Sequence, residues 1–122
     1  MPLTARYAAA QQVALKAGEL ARDLFARRDS LIVEHKGAQN FVSRADRAIE
    51  DFIASRLAAA CPGDAFLGEE SASSFAGAPE HVWVVDPIDG TRSYLAGRDD
   101  WCVSAARAQR SRVYQLRNWG IE

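Results

Sequence analysis

The chain has little of what marks secreted proteins or nucleic-acid binders. Only two of its 122 residues are cysteines, too few for a disulfide framework, and they match no CxxC metal-binding spacing. We expect Cys61 and Cys102 to be small buried side chains in a reducing compartment. The 15 basic and 16 acidic residues nearly cancel to a net charge of −1. The sequence therefore predicts no binding to nucleic acid or to an anionic membrane surface.

Long apolar runs are also absent. No segment approaches the roughly 18 consecutive apolar residues of a membrane span. Gln11, Gln12, Lys16 and Glu19 interrupt the amino-terminal stretch where a signal peptide would have its apolar core. Because 48% of the residues are hydrophobic, a chain of this length can still bury one domain-sized core. We therefore expect a cytoplasmic protein.

Apolar residues recur at three- and four-residue steps in two segments, which predicts two long helices. The first covers residues 4–27, with Thr4 as its cap. The second follows a cap at Ser43, with Asp46 three residues later as in a capping box, and ends before the Pro-Gly-Asp sequence at 62–64.

Short apolar and β-branched runs predict the strands. They lie at residues 31–36, 65–67, 81–85 and 100–106, with loops at 37–40 and 71–80. Helices early in the chain and neighbouring strands later favour an α+β or layered αβ fold.

The strongest chemical signal comes directly after the clearest strand. Two carboxylates, Asp86 and Asp89, stand three residues apart there. Pro87 fixes the turn by locking φ, Gly90 allows a close backbone approach, and Thr91 supplies a hydroxyl where a helical turn can start. Amide N–H groups at such a turn can bind phosphate oxygens.

Glu69 and Glu70 follow another predicted strand and can add a third carboxylate. Mg²⁺ prefers oxygen ligands and keeps water and substrate phosphate in its shell. Two such ions about 3.5–4 Å apart can activate a water and stabilise a leaving oxygen. The structural alternative is that DPxDG is an ordinary turn and Gly-Glu-Glu-Ser an ordinary exposed loop. Their joint occurrence after two apolar strands favours metal-dependent phosphate chemistry.

The sequences GEES at 68–71 and WVVDPIDGT at 83–91 resemble the inositol monophosphatase family of metal-dependent, lithium-sensitive phosphatases. The resemblance covers residues 4–106. It implies the amino-terminal half of a layered αβαβα phosphatase fold, two or three Mg²⁺ ions in a complete site, and hydrolysis of small phosphate monoesters.

The resemblance also implies metal ligands. Glu69 corresponds to a metal-binding glutamate that helps to position the attacking water. Asp86 and Asp89 correspond to the bridging and second metal-binding aspartates, and Ile88 would offer its backbone carbonyl to a metal.

Four further residues take roles from the same resemblance. Gly90 and Thr91 would donate backbone N–H groups to the phosphate, and the Thr91 hydroxyl would orient the water. Asp46 corresponds to an aspartate that hydrogen-bonds this threonine, with a plain capping role as the alternative. Lys36 corresponds to a lysine of a mobile loop near the metals, with a solvated lysine at a strand end as the alternative.

The resemblance leaves the substrate open, because Ser93 and Tyr94 stand where many members have asparagine and phenylalanine. The expected partner is a small phosphorylated metabolite, namely inositol monophosphate or a similar polyol phosphate. Histidinol phosphate and a 3′(2′),5′-bisphosphate nucleotide are the alternatives, and a homodimer is left open.

The carboxyl-terminal part departs from the family's pattern. Members are longer and carry a further metal-binding aspartate in a Trp-Asp-x-Ala-Gly-like motif, which these 122 residues lack. After residue 106 the strand period is lost and arginines replace the apolar hairpin that the resemblance implies. We expect an amino-terminal domain over 1–106, a divergent arginine-rich tail over 107–122, and a truncated product. The alternatives are a short variant with a basic helical tail, a non-catalytic remnant, and a module whose tail binds an anionic partner.

Overall fold

The structure, a computed structural model, describes residues 2–68, 81–109 and 112–119. The loop predicted at 71–80 lies outside these ranges. None of the described helices has both the length and the apolar character needed to cross a lipid bilayer. The elements are α1 (Leu3–Ala26), α2 (Arg28–Glu34), α3 (Ala38–Ala60), β1 (Ala65–Gly68), β2 (Val82–Asp89), α4 (Thr91–Ala96), β3 (Cys102–Gln109) and β4 (Arg112–Trp119).

Both long helices begin before their predicted caps. α1 starts one residue before Thr4, and no side chain caps it. α3 starts at Ala38, so Ser43 and Asp46 lie within the helix and the predicted capping box is wrong. Gly37, with a φ of 133°, lets the chain turn directly from α2 into α3.

The strand predicted at 31–36 is wrong, because most of this segment belongs to α2. Its β-branched residues favour a strand, but Leu31 is buried while Val33 is 78% exposed. A strand would need a repeated alternation of buried and exposed positions, whereas a single buried anchor suits a short helix packed on α3. Packing on α3 therefore overrides the local strand propensity.

The strands form one mixed sheet in the order β1-β2-β3-β4. β1 is parallel to β2, and the other neighbours are antiparallel. α1 packs against α3, β3 and β4, while α3 packs against β2, so the long helices cover one face of the sheet. The core lies between these layers and includes Ile49, Ile53, Trp83, Val85 and Val103.

The expectation that strand structure ends at residue 106 is wrong. β3 continues to Gln109 and pairs along its whole length with β4, so the alternative of a helical tail is wrong as well. Arg107 is 1% exposed, and its Nη1 lies 2.7 Å from His81 Nδ1. The long apolar stem of an arginine can occupy an inward strand position, which a hydropathy pattern does not reveal. The division of the chain at residue 106 stays a prediction, although β3 runs across it.

Three side chains, called here the Asp64 clip, tie the start of α1 to the sheet. Arg6 donates through Nε and Nη2 to the two carboxylate oxygens of Asp64, both at 3.0 Å. The indole N–H of Trp83 donates to Asp64 Oδ2, also at 3.0 Å. Both charged side chains are largely buried, and a bidentate pair is geometrically specific. The clip joins α1, the α3–β1 turn and β2.

Aromatic rings fill the core beside α4. Tyr94 and Trp101 are fully buried, with centroids 4.8 Å apart in an edge arrangement. Phe25 and Phe41 contact Tyr94 from the helical layer. The Tyr94 hydroxyl donates to the Ala21 carbonyl at 2.9 Å. These contacts hold α4 against α1 and α3.

Candidate active site

The first half of β2 is a regular strand. Trp83 and Val85 are buried towards the helices, while Val84 between them is 39% exposed on the other face. The strand predicted at residues 81–85 is confirmed here, and it leads the chain directly to Asp86.

The second half of β2 contains a β-bulge. Asp86 pairs with Ser104 and Asp89 pairs with Cys102, so three steps along β2 match two steps along β3. Paired residues share a face of the sheet, and Ser104 and Cys102 share one because they are two residues apart. The bulge therefore turns Asp86 and Asp89 to the same face, whereas residues three apart in a regular strand would point to opposite faces. Pro87, which has no N–H for the ladder, is tolerated at such a bulge.

A thiol accompanies the two aspartates. Cys102 Sγ lies 3.9 Å from Asp89 Oδ2, in agreement with the shared face. Cys61 and Cys102 are both free and buried, which confirms the prediction that they are buried side chains. Asp89 is exposed and Asp86 is partly exposed, so an ion from solvent can reach this pair.

Gly90 and Thr91 turn the chain from β2 into α4. Gly90 is left-handed, with φ 96° and ψ 46°, and a Cβ there would lie 2.8 Å from the Asp100 carbonyl oxygen. Tyr94 N–H donates to the Gly90 carbonyl, which leaves the N–H groups of the first turn without a partner inside the helix. The Thr91 hydroxyl donates to the Ile88 carbonyl at 3.3 Å.

Asp46 approaches α4 from the helical layer. It is partly buried on α3, which packs against α4. Burial first, and then the Asp46 carboxylate, raise the pKa of Tyr94, so the acid lies near the buried phenol. The hydrogen bond between Asp46 and Thr91 stays a prediction. Its alternative role as a helix cap is excluded by the start of α3.

Sequence reasoning missed Glu50, one turn after Asp46 on α3. Its side chain is fully buried and lies against the backbone of Gly68 at the end of β1. The signal was present in the sequence, since Glu50 stands in the same row of α3 as the buried Ile53 and Leu57. An acid within an apolar stripe is the pattern that would have found it.

Three predicted residues remain, namely Glu69, Glu70 and Lys36. Glu69 and Glu70 lie outside the described ranges. Lys36 has an exposed side chain and a φ of 60° at the turn between α2 and α3, and its role stays a prediction. Among residues 2–68, 81–109 and 112–119, no three His, Cys, Asp or Glu side chains form a group that could hold a metal ion.

Comparison with known proteins decides the family. A model described as the Inositol monophosphatase family matches residues 3–114. The chain belongs to the inositol monophosphatase family. This agrees with the resemblance carried by residues 68–71 and 83–91, and the match also runs through β3 into β4.

Individual members of the inositol monophosphatase family are similar to the chain over most of its length. An inositol-1-monophosphatase of Mesorhizobium japonicum is 41% identical over 103 residues, which cover 84% of this chain and 38% of that protein. Inositol monophosphatase 3 of Solanum lycopersicum is 40% identical over 98 residues, 78% of this chain and 36% of that protein. The chain therefore spans less than two fifths of the length of these relatives.

A solved family structure has the same fold. The extragenic suppressor protein suhB from Bartonella henselae superposes with a TM-score of 0.73 at 30% identity, covering 96% of this chain and 45% of that one. The predicted fold, the amino-terminal half of a layered inositol monophosphatase fold, is confirmed.

Proposed function

We propose that the chain supplies the amino-terminal portion of a Mg²⁺-dependent site that hydrolyses inositol monophosphate or a similar small polyol phosphate. The observation that carries the proposal is the β2 bulge, which turns Asp86 and Asp89 to one face next to the turn at Gly90 and Thr91. Paired acids, amide N–H groups and a hydroxyl at one point are what metal-assisted attack of water on a phosphate requires. We place this reaction in the cytoplasm.

The donor set suits Mg²⁺, which prefers hard oxygen ligands. Asp86 and Asp89 would hold the metal through their carboxylates. Ile88 would add its backbone carbonyl oxygen, because the Thr91 hydroxyl uses only one of the two lone pairs of that oxygen. Glu69 is the third proposed carboxylate, and a complete site would hold two or three ions. When bound, Mg²⁺ neutralises charge on the phosphate and lowers the pKa of a coordinated water.

The chain's own groups bind the phosphate and orient the water. The N–H groups of Gly90 and Thr91 donate to phosphate oxygens at the start of α4. Glu69 and the Thr91 hydroxyl orient the attacking water, and the hydroxyl can rotate away from Ile88 to do so. Asp46 holds that hydroxyl in place, and Lys36 adds a positive charge near the metals.

A non-catalytic role is the second candidate. It would apply to the 122 residues taken by themselves, which hold no Trp-Asp-x-Ala-Gly-like motif. Within the catalytic proposal, the names of the relatives favour inositol monophosphate, with histidinol phosphate and a 3′(2′),5′-bisphosphate nucleotide as alternatives. A homodimer is a further proposal for how the chain assembles.

The first experiment measures Mg²⁺ and Mn²⁺ binding by calorimetry. Asp89→Asn should weaken binding by more than about tenfold, because loss of groups that only support a ligand already costs 10–100-fold. Asp99→Asn makes the same chemical change at an exposed position and should bind like the wild type. Equal binding by both variants would refute the metal site.

The second experiment measures phosphate release from inositol 1-phosphate, histidinol phosphate and adenosine 3′,5′-bisphosphate with added Mg²⁺. We expect the 122-residue chain alone to stay near background, because the further aspartate is missing. Turnover of about 1 per second or faster, as is typical of enzymes, would contradict that expectation. In a full-length relative, the changes corresponding to Glu69→Ala and Thr91→Ala should lower turnover by orders of magnitude and affect substrate affinity less.

A further inference from the structure

α3 carries an acid to which the proposed chemistry gives no role. Glu50 is 0% exposed, although carboxylates are almost never fully buried. It follows Asp46 by one helical turn and therefore lies on the same side of α3. Removing a carboxylate from water is costly, so its place in the core needs a physical reason.

The Glu50 carboxylate packs directly on the backbone of Gly68. A Cβ on Gly68 would collide with Glu50 Oε1 and would lie 2.9 Å from Phe66 Cε1. Gly68 is not among the residues with positive φ, so backbone conformation does not require glycine there. The space that the carboxylate occupies does require it.

Gly68 ends β1 beside the two aspartates. It pairs with Val85 in the parallel ladder, and Asp86 follows Val85 directly. Glu69, the third proposed metal carboxylate, follows Gly68 directly in the sequence. The placement of Gly68 therefore acts through the ladder on Val85 and on Asp86, which follows it.

We infer that Glu50 is a positioning residue: its carboxylate fixes the end of β1 at Gly68, and the pairing of Gly68 with Val85 then holds Asp86 of the proposed metal site in place. This inference rests on the proposed function, since it assumes a metal bound there. The two acids of α3 then support different parts of the site, because Asp46 faces α4 and Glu50 faces β1.

The test measures the Mg²⁺ dissociation constant of the whole chain by calorimetry in a double-mutant cycle. Glu50→Ala and Gly68→Ala should each weaken binding by about tenfold or more. The double variant should bind Mg²⁺ no more weakly than the single variant with the lower affinity, because both changes disrupt the same contact between Glu50 and Gly68. Glu50→Gln keeps the shape and one oxygen against Gly68 and should restore most of the affinity. Glu19→Ala, an exposed acid of α1, is the matched control and should bind like the wild type.

The outcomes separate this inference from the proposed function. A Glu50→Ala chain with a native circular dichroism spectrum and wild-type Mg²⁺ affinity overturns the inference, even if its melting temperature falls. If Glu50→Ala does not fold, unchanged Mg²⁺ affinity in Gly68→Ala overturns it. If the wild type does not bind Mg²⁺, or Asp89→Asn binds equally, the proposed function fails and the inference fails with it.

Discussion

The two halves of β2 differ although they belong to one strand. From Val82 to Val85 the side chains alternate between a buried and an open face, and Trp83 is tied into the Asp64 clip. From Asp86 to Asp89 the ladder is bulged, and both carboxylates point to one face. The regular half provides rigidity. In the irregular half the bulge interrupts the pairing and orients the two carboxylates towards one face. Stability and chemistry should therefore respond to different substitutions.

The largest expected effect is on the regular half. Trp83→Ala removes a buried indole and its hydrogen bond to Asp64, and should lower the free energy of unfolding by about 4 kcal/mol. Val84→Ala, at the neighbouring exposed position, should lower it by less than about 1 kcal/mol. Urea denaturation of the two variants measures the difference. Similar losses at both positions would show that the alternation does not decide stability.

A smaller effect is expected where the irregular half meets α4. Gly90→Ala combines a left-handed backbone with a collision against the Asp100 carbonyl, and should cost about 2–3 kcal/mol and weaken Mg²⁺ binding. Gly63→Ala is the matched control. Its φ of 91° imposes similar strain, but a Cβ there meets nothing within 4 Å. We expect a cost of about 1 kcal/mol for this change, measured by the same denaturation. Equal costs would mean that the close approach at Gly90 has no energetic weight.

The smallest expected effect is on the pKa of Asp100, whose backbone packs over Gly90. The Ser93 hydroxyl, and after it the backbone N–H of Asp100, lower the pKa of Asp100 below its ordinary 3.8. Because the folded pKa is depressed, the stabilisation is present above the ordinary value and is lost as the pH falls through the folded value.

Removing the hydroxyl should reverse this shift. Ser93→Ala should raise the pKa of Asp100 towards 3.8, as followed by NMR titration of the carboxyl carbon. Ser55→Ala removes an exposed hydroxyl that bonds only to the carbonyl of Phe52 on α3, and should leave the titration unchanged. If the pKa of Asp100 is the same in Ser93→Ala as in the wild type, the Ser93 hydrogen bond is not the cause of the lowered pKa.

The sequence predicted the regular half of β2, because an apolar, β-branched run is a local signal. It predicted a turn at Asp86 and Asp89, whereas β2 continues to Asp89. It did not predict the bulge, since whether residues 86 and 89 share a face depends on the register with β3. The family resemblance identified the same acids without this geometry. Periodicity alone would have placed them on opposite faces.

The helical layer shows the same limit. The apolar stripes of α1 and α3 were predictable. The segment 31–36, with its β-branched Ile32 and Val33, indicated a strand. Most of it forms α2 instead, because it packs on α3. Arg107 looked like the start of a solvated tail and is buried in β3. Glu50 received no prediction and is the most buried carboxylate among the described residues. In the first two cases a contact distant in sequence decides the outcome, and local propensity does not register such contacts. Glu50 differs, because its place in the apolar stripe of α3 is visible in the sequence.

The Asp64 clip also bears on the order in which the chain can fold during synthesis. Arg6 precedes Asp64 by 58 residues, and Trp83 follows it by 19. Because proteins emerge from the ribosome amino terminus first, Arg6 and Asp64 can meet before β2 has left the ribosome. An ion pair formed at that stage would hold α1 beside α3 before the sheet covers their apolar faces. The Trp83 hydrogen bond would then join β2 to these two helices.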